Sequence, residues 1–225
     1  LAPGASLLVG RPKGGKSILS TDMVFAVSSG GTFLGKQAKR CGVLWLAAED
    51  DEDQLARRLQ KRRVTDIPDA VTVMTGPQLE EQRRKWTTGG ALHEYIDHYL
   101  AAHRGTGLVI VDTQATAEAR WSGDSAADVE LRRSKSVVKA AYAGARVYQD
   151  VGLKHGVCIV LVHHSRKRNG KDVSDYHELI NMPMTVVAGV TGSVVLAGLA
   201  DSDPHDPKPE RVMAVRGRHM RDRTD

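Results

Sequence analysis

Cysteine is nearly missing from this 225-residue chain, aromatic residues make up only 4% of it, and no apolar run is long enough to cross a bilayer. The two cysteines, Cys41 and Cys158, stand far apart, each in or beside a predicted strand. That usage excludes a disulfide scaffold and a cysteine-rich zinc site, and it reads as reduced thiols of a cytoplasmic protein. The longest weakly polar stretch, residues 185–200, is broken by Gly189, Thr191, Gly192 and Ser193 and reads as core strand and turn. With so few aromatics, a core must rest on Val, Leu, Ile and Ala, and a stacking platform for nucleic-acid bases is not expected. Low-complexity tracts, internal repeats and a signal peptide are also missing from the sequence.

What is present is an ordinary globular composition, 41% hydrophobic, with a net charge of +5. Short apolar runs at 5–9, 43–47, 71–75, 108–111, 157–162, 193–199 and 211–216 alternate with longer amphipathic segments. Helices are expected over 18–27, 51–63 and 92–103, and over 127–151 as one helix or a pair broken near Gly144. Alternation of this kind predicts an α/β fold with a mostly parallel central sheet flanked by helices. The proline-rich segment 201–210 reads as a hairpin loop. The chain starts without Met and enters its first strand at once. It is therefore expected to be a piece of a longer polypeptide, folded as one domain over residues 1–225.

The strongest chemical signal is GRPKGGKS, from Gly10 through Arg11, Pro12, Lys13, Gly14, Gly15 and Lys16 to Ser17. It fills every fixed position of the phosphate-loop pattern G-x-x-x-x-G-K-[ST], between a predicted strand and a predicted helix. There, unpaired backbone N–H groups and the positive end of a helix dipole converge on a polyphosphate. Lys16 would reach the β- and γ-phosphates, and the Ser17 hydroxyl would ligate Mg²⁺. A glycine turn with no ligand is the bland alternative, and the register of Gly, Lys and Ser behind a strand argues against it.

Three strand ends add chemistry. Leu108-Val109-Ile110-Val111 ends in Asp112, placed to support Mg²⁺ opposite Ser17, although such an acid also serves as a helix cap. Residues 45–50 end in Glu49 and Asp50; if their strand lay beside the phosphate-loop strand, Glu49 would face the γ-phosphate as a general base. The competing reading is an acidic helix start formed by residues 49–53, with Asp50 or Asp51 as the cap. The third end carries His163 and His164, which point to opposite faces of a strand and so do not share a metal ion. A polar residue there could sense the γ-phosphate. Basic clusters at 57–63, 83–85, 132–139 and 166–171 would hold a nucleic-acid backbone if they converged, and are otherwise solvated surface.

Taken in order, GRPKGGKS, WLAAED, LVIVDT, LVHHSRK and VRGRHMRD resemble the RecA-like P-loop ATPases, over nearly the whole chain. Within them the likeness is to the plasmid and phage replication helicases of the RepA type, related to the DnaB-like hexameric helicases. The resemblance implies that residues Gly10 to Ile18 bind ATP, that Ser17 and Asp112 hold Mg²⁺, that Glu49 is the catalytic base and that His164 is the γ-phosphate sensor. It also implies that Arg216 and Arg218, two apart on a strand, reach the neighbouring subunit's nucleotide in a homo-oligomer, a hexamer in that group. Here the pair is written Arg-Gly-Arg, where those helicases often have Lys first. The implied activity is ATP hydrolysis coupled to single-stranded nucleic acid, DNA in that group, with no membrane partner. Two alternatives stay open: a small-molecule P-loop kinase, and an ATP-dependent DNA-binding or loading factor that does not unwind.

Overall fold

The computed structural model describes residues 2–123, 137–164, 190–198, 211–217 and 220–224. In chain order the elements are β1 (Gly4–Gly10), α1 (Lys16–Ser29), β2 (Thr32–Phe33), β3 (Lys36–Gln37), β4 (Gly42–Ala47), α2 (Glu52–Lys61), β5 (Val71–Thr75) and α3 (Gly76–Lys85). Then come α4 (Leu92–Ala102), β6 (Thr106–Asp112), α5 (Gln114–Ser122), α6 (Val137–His155), β7 (Cys158–His164), β8 (Gly192–Gly198), β9 (Arg211–Gly217) and β10 (Met220–Thr224).

Eight strands form one sheet in the order β10-β9-β8-β1-β7-β6-β4-β5, and β2 pairs with β3 in a separate hairpin. Six neighbours, from β8 across to β5, run parallel, while β9 and β10 extend the β8 edge antiparallel. The central strands are apolar at nearly every position because both faces are covered, as parallel sheets require. Leu7, Val9, Leu44, Leu46, Val109, Val111, Ile159 and Leu161 pack under α3, α4, α5 and α6. The alternate residues Leu8, Val43, Trp45, Leu108, Ile110, Val160 and Val162 pack under α1 and α2. Strand periodicity thus sorts one sequence into two cores.

Local rules explain the flanking helices. Asp51 accepts from the Gln54 N–H at 2.7 Å, and its own N–H donates back to Gln54 Oε1 at 3.1 Å, a capping box that starts α2. Ten residues are too few for a stable isolated helix, so α2 depends on burying Leu55 and Leu59, each contributing about 1.5–3 kcal/mol. Two short helices were not expected. Helix α3 begins at Gly76-Pro77, a dipeptide that reads as a turn, yet proline is at home in a first helical turn. Helix α5 follows β6 with one intervening residue.

Two further expectations change and a third lies outside the described residues. Strand β4 does not lie beside β1, because β7 and β6 separate them. Helix α6 runs through Gly144 without a break, since packing on β1 and α4 outweighs the cost of one glycine, about 1 kcal/mol. The 201–210 loop lies outside the described residues, but β8 and β9 pair in antiparallel register from Gly198 opposite Arg211, as a hairpin requires. Cys41 and Cys158 are both free, and burial pushes the Cys158 thiol up to about 11, which makes it unreactive. Among the described residues, no helix is long and apolar enough to cross a membrane.

Candidate functional site

The chain leaves β1 at Gly10 and turns through exposed Arg11, Pro12 and Lys13, and the Gly14 N–H closes the turn on the Arg11 carbonyl at 2.9 Å. Gly15 then takes φ +93°, a left-handed conformation that side chains disfavour, and it caps α1 without any side-chain hydrogen bond. No acidic residue occupies the first turn of α1. The helix thus opens with free N–H groups and an uncompensated positive end, which is what a phosphate needs. Ile18, just beyond, is exposed.

Lys16 is buried, yet its ammonium is fully engaged. It donates to the carbonyls of Gly10 at 3.0 Å and Arg11 at 2.9 Å and meets His164 Nδ1 at 3.3 Å. Burial lowers its pKa, while Asp112 and Glu49 pull it back up. Because an ammonium only donates, Nδ1 of His164 is the acceptor, and the ring proton resides on Nε2. That Nε2 faces Glu49 Oε1 at 3.3 Å. His163, its neighbour, is buried on the other face of the strand, as alternation requires.

Glu49 follows β4, and its N–H meets the Asp112 carbonyl at 3.3 Å. Its Oε1 also accepts from Thr113 Oγ1 at 2.8 Å, and Thr113 Oγ1 contacts Thr116 Oγ1 at 3.1 Å. Among the described residues Oε2 accepts no hydrogen bond, and the side chain is 39% exposed, so this oxygen is available to a water. Glu49 therefore reaches Lys16 across two intervening strands, by way of the loop after β4 and the imidazole at the end of β7. Asp51, not Asp50, caps the helix, which leaves Asp50 free to ion-pair with Arg58.

Asp112, at the end of β6, is 3% exposed. Burial raises its pKa and Glu49 adds to the rise; Arg58, the Ser17 hydroxyl and Lys16 favour the charged form. Neither carboxylate oxygen meets a protein donor in good hydrogen-bond geometry. A buried carboxylate left with acceptor capacity beside a hydroxyl is a pair of hard oxygen donors suited to Mg²⁺. Among the described residues no group of three or more His, Cys, Asp or Glu could hold a metal, so further ligands would come from phosphate and water.

Four residues joined to this site were not found from sequence: Arg58, Thr113, Thr116 and Arg120. Arg58, expected in a basic surface cluster, instead turns inward from α2 to Asp50, with its guanidinium 6.0 Å from the Trp45 ring centre. Burial lowers its pKa against the pull of Asp112 and Glu49. Its neighbour Arg62 pairs with Asp22, so this cluster does not form one exposed basic face. No local signal pointed to this pair, because Asp50 precedes the Asp51 cap of α2 and helix side-chain pairs stand three or four residues apart.

Of the basic pair near the carboxyl terminus, only Arg216 is described. Arg216 lies in β9 opposite Ser193, which stands opposite Leu7 of β1, about 10 Å below Gly10 at the rise of a strand. Arg218 lies outside the described residues, as do the basic segments 132–136 and 166–171.

Comparison with known proteins adds two findings. A family model described as an AAA domain, AAA_25, matches residues 1–170. The crystal structure of the RadB recombinase matches with a TM-score of 0.55 at 17% identity, covering 98% of this chain and 84% of that one. No curated protein matches.

Proposed function

The chain belongs to the AAA_25 family of AAA domains and has the RecA-like P-loop fold, and from that premise we propose that it hydrolyses ATP with Mg²⁺ and couples turnover to single-stranded nucleic acid, as a helicase-like ATPase of DNA replication working as a homo-oligomer. The observation that carries this reading is the Glu49 carboxylate, held by Thr113 and His164 next to the phosphate-loop lysine, with Oε2 accepting no hydrogen bond among the described residues. A small-molecule kinase needs no general base aimed at water, whereas hydrolysis does.

In this mechanism the backbone from Gly10 to Ser17 cradles the phosphates, with Ile18 beside the nucleotide, and Lys16 exchanges His164 for a γ-phosphate oxygen. Ser17 and Asp112 would hold Mg²⁺, whose charge offsets that of the β- and γ-phosphates. Glu49 Oε2 accepts a proton as water forms its bond to the γ-phosphorus and the bond to the β-γ bridging oxygen breaks, releasing ADP and phosphate. His164, freed from Lys16, offers its Nε2–H to the γ-phosphate. Arg216 and Arg218 act in trans on the neighbouring nucleotide. The net charge of +5 favours a polyanionic partner.

The test is ATP turnover with and without single-stranded DNA at several protein concentrations, beside Lys16→Ala. Stimulated turnover that rises with concentration and vanishes in the folded variant is the expected result. Phosphate transferred only when an organic acceptor is supplied would replace hydrolysis with kinase chemistry.

A further inference from the structure

A polar cleft of about 450 Å³ opens between α3 and α5, lined by Arg83, Arg84, Arg120, Glu80 and Thr116 among others. Three guanidinium groups face one carboxylate there. Glu80 ion-pairs with Arg120, and among the described residues no carboxylate pairs with Arg83 or Arg84. Arg83 donates to the Ser122 carbonyl at 3.2 Å, which anchors it at the rim. Among the described residues its lining therefore carries three guanidinium groups against one carboxylate, and a guanidinium has the fork geometry that suits phosphate oxygens.

Its walls run to the catalytic carboxylate by two routes. A hydroxyl has one proton, and that of Thr113 is given to Glu49 at 2.8 Å. Thr116, in the cleft wall, must then be the donor in its 3.1 Å contact with Thr113. Thr116, Thr113 and Glu49 form a directed chain. By the second route, Arg120 Nε donates at 2.8 Å to the carbonyl of Ala48, the residue before Glu49. Gly76 makes this contact possible, because a Cβ there would stand 2.5 Å from the Arg120 guanidinium carbon. One guanidinium thus spans the cleft anion site and the backbone that positions Glu49.

We infer that this cleft binds a backbone phosphate of the single-stranded nucleic acid and transmits its presence to Glu49 through Thr116–Thr113 and Arg120–Ala48. The inference rests on the function proposed above. A phosphate that draws Arg120 away from Glu80 shifts α5 against β4, and both contacts to residues 48 and 49 move with it. Nucleic-acid occupancy is thereby coupled to the position of the base, and stimulation of turnover is the readout.

A fluorescein-labelled oligothymidylate tests this by anisotropy at several salt concentrations, alongside ATP turnover with and without the oligonucleotide. In Arg83→Ala/Arg84→Ala, affinity falls at least tenfold, and the slope of log affinity against log salt flattens by about 0.7 for each phosphate that the variant no longer neutralises. In Thr116→Val the oligonucleotide still binds, but the ratio of stimulated to basal turnover falls at least threefold; Thr116→Ser, which keeps the hydroxyl, retains the ratio. Arg84→Gln, at an exposed position, keeps the first arm readable if the double variant does not fold. Wild-type affinity and slope in the arginine variants, or an unchanged ratio in Thr116→Val, would overturn the proposal. The wild type separates this from its premise: a protein that neither binds the oligonucleotide nor responds to it sinks the nucleic-acid function and the cleft together, whereas normal stimulation with unaffected arginine variants sinks the cleft alone.

Discussion

Glu49 and Asp50 are adjacent in sequence and opposite in circumstance. Among the described residues Glu49 accepts two hydrogen bonds on one oxygen and none on the other; Asp50 is tied to Arg58. Glu49→Gln keeps shape and an acceptor for Thr113 but cannot take a proton from water. ATP binding should persist while turnover drops by about 10² or more, read by nucleotide titration and steady-state kinetics. Asp50→Asn instead strands a half-buried guanidinium and should lower the melting temperature. A turnover defect at Asp50 with none at Glu49 would move the base by one residue. Lys16, Ser17, Glu49, Asp112 and His164 were legible because each ends a strand or completes a fixed loop pattern. Arg120 was not, because its partner carbonyl is 72 residues away and only tertiary packing brings the two together.

At the scale of elements, the strands of the parallel sheet were readable from apolar runs, and the order of those strands was not. Nothing in residues 43–47 says that two later strands will insert between them and β1; strand order is set by which helices cover which face. Helices α4 and α6 illustrate such pairing. Burial alone would raise the pKa of Asp97 on α4, but hydrogen bonds from Lys154 and His155 on α6 outweigh it and hold the carboxyl below its usual 3.8. A lowered folded value means that this clamp contributes stability above the ordinary carboxylate range and loses it as pH falls through the folded value. Urea unfolding of wild type and Asp97→Asn should therefore differ most near neutrality and converge as pH drops from about 5 to about 2. A difference independent of pH would assign the helix contact to packing alone.

For the whole molecule, the register of the sheet places Arg216 relative to the phosphate loop. The phosphate loop sits at the carboxyl end of β1, whereas Arg216 stands level with Leu7, at the middle of that strand. The proposed role of the pair in a neighbouring copy can be tested by complementation. Lys16→Ala and Arg218→Ala subunits, each inactive alone, should regain part of the wild-type turnover when mixed, because one kind of contact joins an intact loop to an intact arginine. Mixed oligomers that form and stay as inactive as their components would leave these arginines as surface charge or nucleic-acid contacts. A nucleotide site completed by a neighbouring copy would also have a concentration law. Below the assembly midpoint a lone subunit would then be chemically incomplete, so the rate would rise more than linearly with protein concentration, and dilution would switch the reaction off without unfolding any chain.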